Sequence, residues 1–570
     1  IRYAQESRGL GDVYKRQLLV HSENWQALNL LREKYRERVE CIYIDPPYNT
    51  GDSEILYKNE YLRSSWLSLM ENRLTKSMQL LGDDFVIFIA IDDFEMVDLC
   101  ELIDKHFGSL RREMIVVNHH PQGGKAKTLA ATHEYMLACV PVGSDRTLRG
   151  RIISETVEYR PFKRSGTAES NFRRARPNSF YAILVDPRTK EVVGAEPPPA
   201  IGSQYPTGPT EEGYIRVYPV GAKGEERVWR RSYESGLSLI SAKKLVCSEN
   251  LTIYQLIEAH ERTPALFSNW IDPRYNAGTF GANYLADIIG RHNPFPYPKS
   301  IHTVEDAIFS SGLENDAVVL DYFAGSGTTA HAVINLNRED GGRRKFILVE
   351  MADYFDTVLL PRIKKVIFTP EWKDGKPERI ATQEEFERGP RVIKVIRLES
   401  YEDALNNITF DEESGWRALA LFGDEYLLHY MLRWESKKSE TFLDVEKLQT
   451  PFCYKLRIHR DGETREQPVD LPETFAYLIG LDVEKREVHY DGDRRYLVHR
   501  GTTRDGRRVA VIWRETKDWS EKNYRRDAAF VAEQKMTEGA DEIFVNSDSF
   551  IPGARSLDGI FKARLFGEEG

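Results

Sequence analysis

The stretch CIYIDPPYNTGD, residues 41–52, decides how the first half of the chain is interpreted. Its apolar run at residues 42–44 is typical of a buried strand, and it ends abruptly in an acid, two prolines and an aromatic ring. Because open α/β sheets bind ligands at the carboxyl ends of their strands, we expect a ligand-binding group here. A plain Pro-Pro turn with a packing tyrosine is the alternative. These four residues, the DPPY tetrapeptide, are Asp45, Pro46, Pro47 and Tyr48.

Apolar runs alternate with helical segments around this stretch. Strand-like runs lie at residues 39–44, 85–91, 114–117 and 136–140, and helical segments lie at about 65–81 and 94–107. The alternation returns later, with strands at residues 317–320 and 346–349 on either side of a helix at 328–336. This pattern predicts an α/β fold class, with a mostly parallel sheet covered by helices on both faces.

The composition limits the class of protein. A chain of 570 residues is long enough for two to four domains. It is 41% hydrophobic and 29% charged, and it has no uninterrupted apolar run of about 18 residues, so we expect a globular protein without a membrane span. The five cysteines are far apart and form no C-x-x-C pair. This spacing fits a reducing cytoplasm and argues against a zinc site.

One segment differs in charge from the rest of the chain. The formal net charge of −10 alone argues against nucleic acid as a partner, but binding depends on local charge. Residues 141–245 carry 18 Lys and Arg against 12 Asp and Glu, and they are rich in Gly and Pro. We therefore expect a positively charged, irregular domain inserted into the α/β pattern.

These features divide the chain into five segments. Residues 1–17 show no clear periodicity and are interpreted as non-native or disordered, with the true amino terminus missing. The α/β pattern falls into two halves, at residues 18–149 and 286–368, separated by the insert at 150–285. Residues 369–570, with mixed helices and late strands, are expected to form a C-terminal α+β domain.

A second landmark, DYFAGSGTT at residues 321–329, follows a strand and precedes a helix, as cofactor-binding turns do. Gly325 and Gly327 let the backbone approach a ligand closely, and no G-K-[ST] follows to hold phosphates. Asp321 suits a positively charged ligand, and Glu350, at the end of the next strand, can accept ribose hydroxyls. S-adenosylmethionine has an ammonium, a sulfonium, a ribose and no phosphate, so it fits. An ordinary turn and a solvated acid are the alternatives.

Together, the two landmarks resemble the catalytic and cofactor motifs of amino-methylating DNA methyltransferases. The catalytic motif comes first, and Asp45 precedes Asp321 by 276 positions, an order similar to that of the β class. Stretches at residues 45–52, 59–67 and 295–300 more narrowly resemble the modification (Mod) subunit of type III restriction-modification systems. The resemblance runs from about residue 18 to the C-terminus. It implies a Rossmann-like methyltransferase sheet, an inserted target-recognition domain and a C-terminal assembly domain.

The resemblance implies methyl transfer from S-adenosylmethionine to the N6 amine of a flipped adenine in double-stranded DNA. That amine is a poor nucleophile because its lone pair is delocalised into the ring. We expect Asp45 and the Pro46 carbonyl, held rigid with Pro47, to accept its two N–H bonds and free the lone pair. Tyr48 is expected to stack on the flipped base. Methylation of cytosine N4, or a subunit that mainly reads DNA and docks a partner, stays open.

The resemblance also places the cofactor. Its expected binding residues are Asp321, Phe323, Gly325, Gly327, Thr328 and Glu350, with Phe295 and Lys299 in a flanking stretch. Ser22-Glu23 stands where relatives often carry a Gly-Asp that meets the cofactor's adenine, so Glu23 is expected there too. The alternatives are a surface acid for Glu23, a packed ring for Phe295 and a solvated ammonium for Lys299.

Basic residues interleaved with aromatic ones in the insert suit contacts with DNA phosphates and base edges. The expected DNA-binding residues are Lys163, Arg164, Arg173, Arg174 and Arg176, and a solvated face is the alternative for each arginine. The resemblance further implies a homodimer and a separate restriction (Res) helicase-nuclease partner. Near the C-terminus, Glu515 and Lys517 with Asp491 upstream also match a short nuclease pattern, but the resemblance favours a role in assembly.

Overall fold

A computed structural model describes residues 16–48, 63–123, 129–151, 157–258, 265–292, 295–398, 448–460 and 463–566. The chain divides into two compact units, Arg149–Leu266 and the remainder. Parts of the predicted motifs, at residues 49–52 and 59–62, lie outside the described residues. Within the described ranges, no helix is both long and apolar enough to cross a membrane.

A nine-stranded sheet forms the centre of the larger unit. Its strands are β1 (Arg16–His21), β2 (Val39–Ile44), β3 (Leu81–Ile91), β4 (Leu110–Val117), β5 (Glu134–Pro141), β6 (Asn269–Trp270), β7 (Val318–Asp321), β8 (Lys345–Glu350) and β9 (Val392–Arg397). They lie in the order β6-β4-β5-β3-β2-β7-β8-β1-β9. All neighbours are parallel except at β5, which runs antiparallel to β3 and β4. The prediction of a mostly parallel sheet is confirmed.

Helices alternate with these strands along the chain. They are α1 (Asn24–Tyr35), α2 (Arg63–Met78), α3 (Met96–His106), α4 (Tyr284–Ile289), α5 (Ile301–Ser310), α6 (Thr328–Asp340), α7 (Leu360–Phe368) and α8 (Gln383–Arg388). Consecutive residues 41–44 of β2 are all buried. Because successive side chains of a strand point to opposite faces, the sheet is covered on both faces. One apolar cluster joins Leu28 of α1, Trp66 of α2 and Leu99 of α3 to the strands.

The amino-terminal boundary differs from the prediction. The strand β1 begins at Arg16 and pairs with both β8 and β9. The Gln17 side-chain oxygen accepts a hydrogen bond from the Phe346 backbone N–H at 2.6 Å, which ties this residue to the sheet. The expectation of disorder over residues 1–17 therefore does not hold for the last two of them, which belong to β1.

Two other boundaries also need correction. The insert ends at Leu266 instead of residue 285, because β6 pairs with β4 in the central sheet. Similarly, β9 lies beside β1 and belongs to the central sheet, although it was assigned to the C-terminal domain. A two-residue strand has no measurable apolar period, and β9 is an edge strand with mostly half-buried side chains, so neither stands out in the sequence.

The smaller unit has its own hydrophobic core and is more regular than predicted. It contains two antiparallel three-stranded sheets, formed by Glu158–Pro161, Leu245–Cys247 and Ile253–Ile257, and by Ala182–Val185, Val192–Glu196 and Ile215–Val217. A helix, Tyr233–Ser241, lies in the same unit. The buried side chains of Phe162, Tyr181 and Trp229 are at the centre of its core.

The C-terminal part forms a second sheet within the larger unit. Its strands are Asp482–Asp491, Arg494–Thr502, Arg508–Arg514, Glu542–Val545 and Ala554–Ser556, and its helices are Leu471–Leu478, Glu521–Glu533 and Asp558–Phe566. Short hairpins join Trp372–Lys373 to Lys376–Pro377 and Lys455–Arg460 to Glu463–Pro468. In the described parts of the chain, no group of three His, Cys, Asp or Glu could hold a metal ion, and Asp491 pairs with Arg526 at 2.6 Å.

A fully buried ion pair stabilises this second sheet, and it yields a stability prediction. Arg514 pairs with Asp527, and neither side chain is exposed. Asp527→Ala leaves the guanidinium buried without its carboxylate, so we expect the free energy of unfolding to fall by about 3–5 kcal/mol. Glu521→Ala removes the exposed partner of Arg525 on the same helix and should change stability by less than about 1 kcal/mol. Urea unfolding of both variants tests this, and equal losses would contradict it.

Candidate active site

The sheet topology brings the two landmark motifs together. The strands β2 and β7 are neighbours, with Cys41 opposite Val319 and Ile42 opposite Leu320. From β2 the chain continues into β3 on one side, and from β7 it continues into β8 on the other. The motifs follow these two strands at the same edge, where the strand order reverses direction. In open α/β sheets this switch point is where ligands bind.

The DPPY tetrapeptide is fixed to the helix that follows it. The Pro47 carbonyl accepts a hydrogen bond from the indole N–H of Trp66 at 2.8 Å. Trp66 itself is fully buried in the core on α2. The side chain of Asp45 is 28% exposed, so it lies at the surface of the sheet edge where a ligand can reach it.

A cluster of charged and hydroxyl groups surrounds Asp45. The Lys299 ammonium lies 3.1 Å from a carboxylate oxygen of Asp45 and 2.7 Å from one of Glu134. It also donates to the Tyr48 hydroxyl and lies 4.5 Å from the centre of that ring. The Tyr48 hydroxyl donates to Glu134 at 3.0 Å. Lys299, which was expected beside the cofactor, therefore contacts the DPPY tetrapeptide directly.

Burial and charge act against each other in this cluster. Burial raises the pKa of Asp45, and Lys299 opposes that shift. For Glu134, burial disfavours the charged form, but Lys299 and His119 hold its pKa below the usual value. Burial also disfavours charge on Lys299, yet Asp45 and Glu134 together raise its pKa. At neutral pH Lys299 and Glu134 are therefore charged.

Glu134 was not predicted from the sequence, and the direction of its strand explains why. It is the first residue of β5, the strand that runs against its neighbours. The amino end of β5 therefore lies at the edge where the other strands end, with Glu134 opposite Val117, the last residue of β4. The only sequence signal is an acid directly before an apolar run. In a parallel strand such an acid would lie at the edge of the sheet opposite to the site.

The loop after β7 has a backbone conformation that favours glycine and leaves little room for larger side chains. Gly325 and Gly327 have φ values of +53° and +82°, in the left-handed region that favours glycine. A Cβ at Gly325 would lie 3.2 Å from the Phe295 ring, so a larger residue would crowd it. Phe295 in turn packs edge-on against Tyr354, with ring centres 5.0 Å apart. The predicted residues Gly325, Gly327 and Phe295 thus lie together.

Two buried carboxylates hold this loop. Asp321 accepts from the Phe323 N–H at 3.0 Å and from the Thr329 hydroxyl at 2.5 Å. Burial raises the pKa of Asp321 to about 7. Glu350 accepts from the Gly325 N–H at 2.8 Å, and burial raises its pKa as well.

Glu350 differs from the expected picture of a carboxylate free to bind ribose. One of its oxygens accepts from the backbone N–H groups of Met351 and Ala352, at 2.8 and 3.0 Å, and the other accepts from Gly325. Tyr354 also forms a hydrogen bond to it. A carboxylate has about four acceptor positions, so Glu350 shapes the loop through the same atoms that a ribose would use.

An unpredicted arginine lies under the loop. Arg362 on α7 is fully buried and donates to the Ser326 hydroxyl at 2.7 Å and to the Thr328 hydroxyl at 2.9 Å. Burial lowers the pKa of Arg362 to about 10. Thr328, a predicted cofactor residue, is therefore oriented by this guanidinium. Phe323 is buried as well, with its ring 5.3 Å from that of Tyr322.

Glu23 caps a helix at the same sheet edge. It follows β1, whose last residue, His21, is opposite Glu350. Its carboxylate accepts from the backbone N–H groups of Trp25 and Gln26, at 2.6 and 3.2 Å, and pairs with Arg73 at 2.7 Å. The expected contact with a cofactor's adenine stays a prediction.

The structure separates the predicted DNA-binding residues of the insert into two groups. Arg173 is 4% exposed, pairs with Glu226 at 2.8 Å and stacks on Phe180 at 4.4 Å. Lys163 donates to the Val220 carbonyl at 2.8 Å. Burial inside the unit and the partners of both terminal nitrogens argue against a DNA contact for Arg173.

The remaining predicted residues are more accessible. Arg174 is exposed and lies 3.1 Å from Glu169, Arg176 is exposed, and Arg164 is half-buried. Nothing in the alternation of basic and aromatic residues distinguishes the buried Arg173 from its exposed neighbours.

Comparison with known proteins identifies relatives of the whole site. A family model described as DNA methylase matches residues 39–359, which contain both motifs. The chain is 32% identical over 352 residues to type II methyltransferase M.KpnI of Klebsiella pneumoniae. The alignment covers 58% of this chain and 79% of that protein.

Subunits of type III enzymes match as well. The chain is 29% identical over 390 residues to the EcoPI Mod subunit of Escherichia phage P1, covering 58% of this chain and 57% of that subunit. It is 23% identical over 511 residues to the "Probable type III restriction-modification enzyme HindVI Mod subunit" of Haemophilus influenzae, covering 82% and 65%. The chain therefore spans about half to two thirds of the length of these Mod subunits.

The neighbouring arginines of the insert make a matched pair for a stability test. Arg173→Ala removes hydrogen bonds to Glu226 and to the Pro199 and Ala200 carbonyls, so we expect the insert to lose about 2–3 kcal/mol of stability. Arg174→Ala removes one exposed ion pair and should cost less than about 1 kcal/mol. Hydrogen exchange of the insert's strands measures both changes. Equal protection in the two variants would contradict the conclusion that Arg173 stabilises the insert from within its core.

Proposed function

The chain belongs to the DNA methylase family, and on that premise we propose that it methylates the N6 amine of adenine at specific sites in double-stranded DNA. The observation that carries the proposal is the position of Asp45 and Pro46. They directly follow β2, which pairs with β7, so they lie next to the glycine loop at the switch point of the sheet. Methyl donor and acceptor can therefore meet at one edge.

The tetrapeptide activates the amine by accepting its hydrogens. The Asp45 carboxylate and the Pro46 carbonyl take its two N–H bonds and draw the nitrogen towards tetrahedral geometry, which frees its lone pair. The bond from Trp66 to Pro47 keeps these acceptors in place, so little reorganisation is needed during the reaction. The Tyr48 ring, held by its hydroxyl, offers a flat surface for a base taken out of the stack.

The residues after β7 and β8 suit S-adenosylmethionine. Asp321 and Glu350 place two carboxylates at adjacent strand ends, and Gly325 and Gly327 leave the backbone open. Such a donor set favours a cationic ligand that has hydroxyl groups and no phosphate. We assign Asp321, Phe323, Gly325, Gly327, Thr328 and Glu350 to hold the cofactor, with Glu23, Phe295 and Lys299 at its margin. The bound cofactor supplies an electrophilic methyl group on a sulfonium.

Adenine is preferred over cytosine as the target base because of Asp45. The family includes both N6 and N4 methyltransferases. The resemblance associates Ser in place of Asp45 with the N4 kind. A carboxylate is a stronger acceptor than a hydroxyl, which suits the amine of adenine.

The insert is proposed to read the target sequence, and its unpaired arginines form the best DNA-facing surface. Arg160, Arg164 and Arg230 lie near one another: burial lowers the pKa of Arg230, and the positive charges of Arg160 and Arg164 lower it further. None of the three has a carboxylate partner within the described parts of the chain. With the exposed Arg174 and Arg176, they offer donors for phosphates.

The relatives also suggest partners. We propose that the protein acts as the Mod subunit of a type III system, forms a homodimer and docks a Res helicase-nuclease subunit. The match to a Mod subunit over 82% of this chain supports this, because it extends into the C-terminal part. We place the protein in the cytoplasm, where DNA is accessible and the five free cysteines stay reduced.

Asp45→Ala tests the proposed chemistry. It removes an acceptor at the reacting amine, so we expect methyl transfer to fall by roughly 100-fold or more. Lys299 keeps Glu134 as its partner, so the fold and the cofactor affinity should stay nearly unchanged. Asp93→Ala, an exposed acid near the end of β3, is the matched control and should keep full activity. Near-normal turnover of Asp45→Ala on oligonucleotide duplexes would refute the role.

Salt titration tests the DNA surface. Changing Arg160 and Arg230 to Gln should weaken duplex binding and reduce the slope of log K against log salt by about 0.9 for each lost phosphate contact. Arg188→Gln, exposed in the same unit, is the control and should leave the slope unchanged. If the double variant matches wild type at every salt concentration, the recognition surface lies elsewhere.

A further inference from the structure

Glu134 is the most deeply buried charge next to the DPPY tetrapeptide. Its side chain is 4% exposed, against 12% for Lys299 and 28% for Asp45. Burying a carboxylate is unfavourable unless it is paired and hydrogen-bonded, and Glu134 meets both conditions through Lys299 and the Tyr48 hydroxyl. Glu134 therefore contacts Tyr48 directly and is linked to Asp45 through Lys299.

Lys299 connects the two carboxylates. Its ammonium lies between Asp45 and Glu134, at 3.1 and 2.7 Å. One cation between two anions leaves the cluster with a formal charge of −1 when all three groups are ionised. Without Glu134 the cluster would be neutral, and Lys299 would have Asp45 as its only carboxylate among the ion pairs of the described residues.

We propose that Glu134 is a positioning residue for methyl transfer, which holds Lys299 and Tyr48 in place and keeps the charge around the reacting amine negative. The inference rests on the proposed function and deepens it. Glu134 touches neither base nor cofactor in this account. It acts through the Lys299 ammonium and the Tyr48 hydroxyl.

The charge balance of the reaction gives the reason. The lone pair of the amine forms the new C–N bond as the C–S bond breaks, and the electron pair of the broken bond stays on sulfur. The nitrogen gains positive charge and then loses a proton, which passes through Asp45 to solvent. A site with a net negative charge stabilises this developing charge, most strongly where water is excluded. A neutral site does not.

The other groups near Glu134 do not supply this charge. His119, at the end of β4, is half-buried, and burial lowers its pKa, so it is neutral at neutral pH. Tyr43 on β2 faces the same cluster, and burial raises its pKa well above the usual value, so it is neutral as well. Among the groups in direct contact, the charge therefore depends on Asp45, Lys299 and Glu134. Asp92 and Asp321 also interact electrostatically, with Lys299 and with Asp45, and burial raises the pKa of each.

Glu134→Gln tests the proposal, because it keeps the shape and removes the charge. We expect kcat to fall at least about tenfold, with KM for DNA and cofactor affinity by calorimetry nearly unchanged. The acidic limb of the pH–rate profile, which reports ionisation of Asp45, should move to lower pH, because the repulsion from Glu134 is lost. Glu134→Asp should restore part of the activity.

Lys299→Met should shift the acidic limb of the pH–rate profile in the opposite direction. It removes the cation that lowers the pKa of Asp45, so the acidic limb should move to higher pH. Glu113→Gln, exposed on β4, is the matched control and should leave the profile unchanged. A purely structural role for Glu134 predicts the same loss at every pH with unshifted limbs, and that result would overturn the proposal. If wild type methylates no DNA, the proposed function fails first.

Discussion

The parallel pairing of β2 with β7 is the constraint on which the rest of the structure depends. It joins two segments that are 276 residues apart, so that the acceptors of the DPPY tetrapeptide and the glycine loop lie at one edge. The intervening insert, Arg149–Leu266, has its own core and therefore does not disturb this pairing. The sheet can thus carry an inserted unit without losing the geometry of the site.

That edge concentrates negative charge. Asp45, Asp321 and Glu350 are at the ends of three adjacent strands, and Glu134 joins them because β5 is reversed. Burial raises the pKa values of Asp45, Asp321 and Glu350, which means that burial opposes negative charge on each of these side chains. A cationic cofactor and a nitrogen that becomes positive during reaction both suit such an environment. Lys299 is the cation that lies between Asp45 and Glu134 and reduces their mutual repulsion.

The sequence predicted what local patterns encode. The bounds of β2 were predicted correctly because an apolar run ends at two prolines, and the glycine loop because its conformation needs Gly325 and Gly327. The predictions that failed concern residues whose positions depend on contacts with distant parts of the chain. Glu134 lies at the site only because β5 is antiparallel, and Arg173 is buried only because an aromatic core surrounds it. Similarly, β1 and β9 are defined by pairing with each other, which no local period reveals.

The proposed methylation requires that Asp45 and Pro46 activate the N6 amine of adenine in DNA. Single-molecule sequencing of genomic DNA from cells that make the protein reports the modified base and its sequence context together. We expect N6-methyladenine at one recurring sequence, absent in cells that make equal amounts of Asp45→Ala. N4-methylcytosine in its place, or N6-methyladenine that persists in the variant, would contradict it.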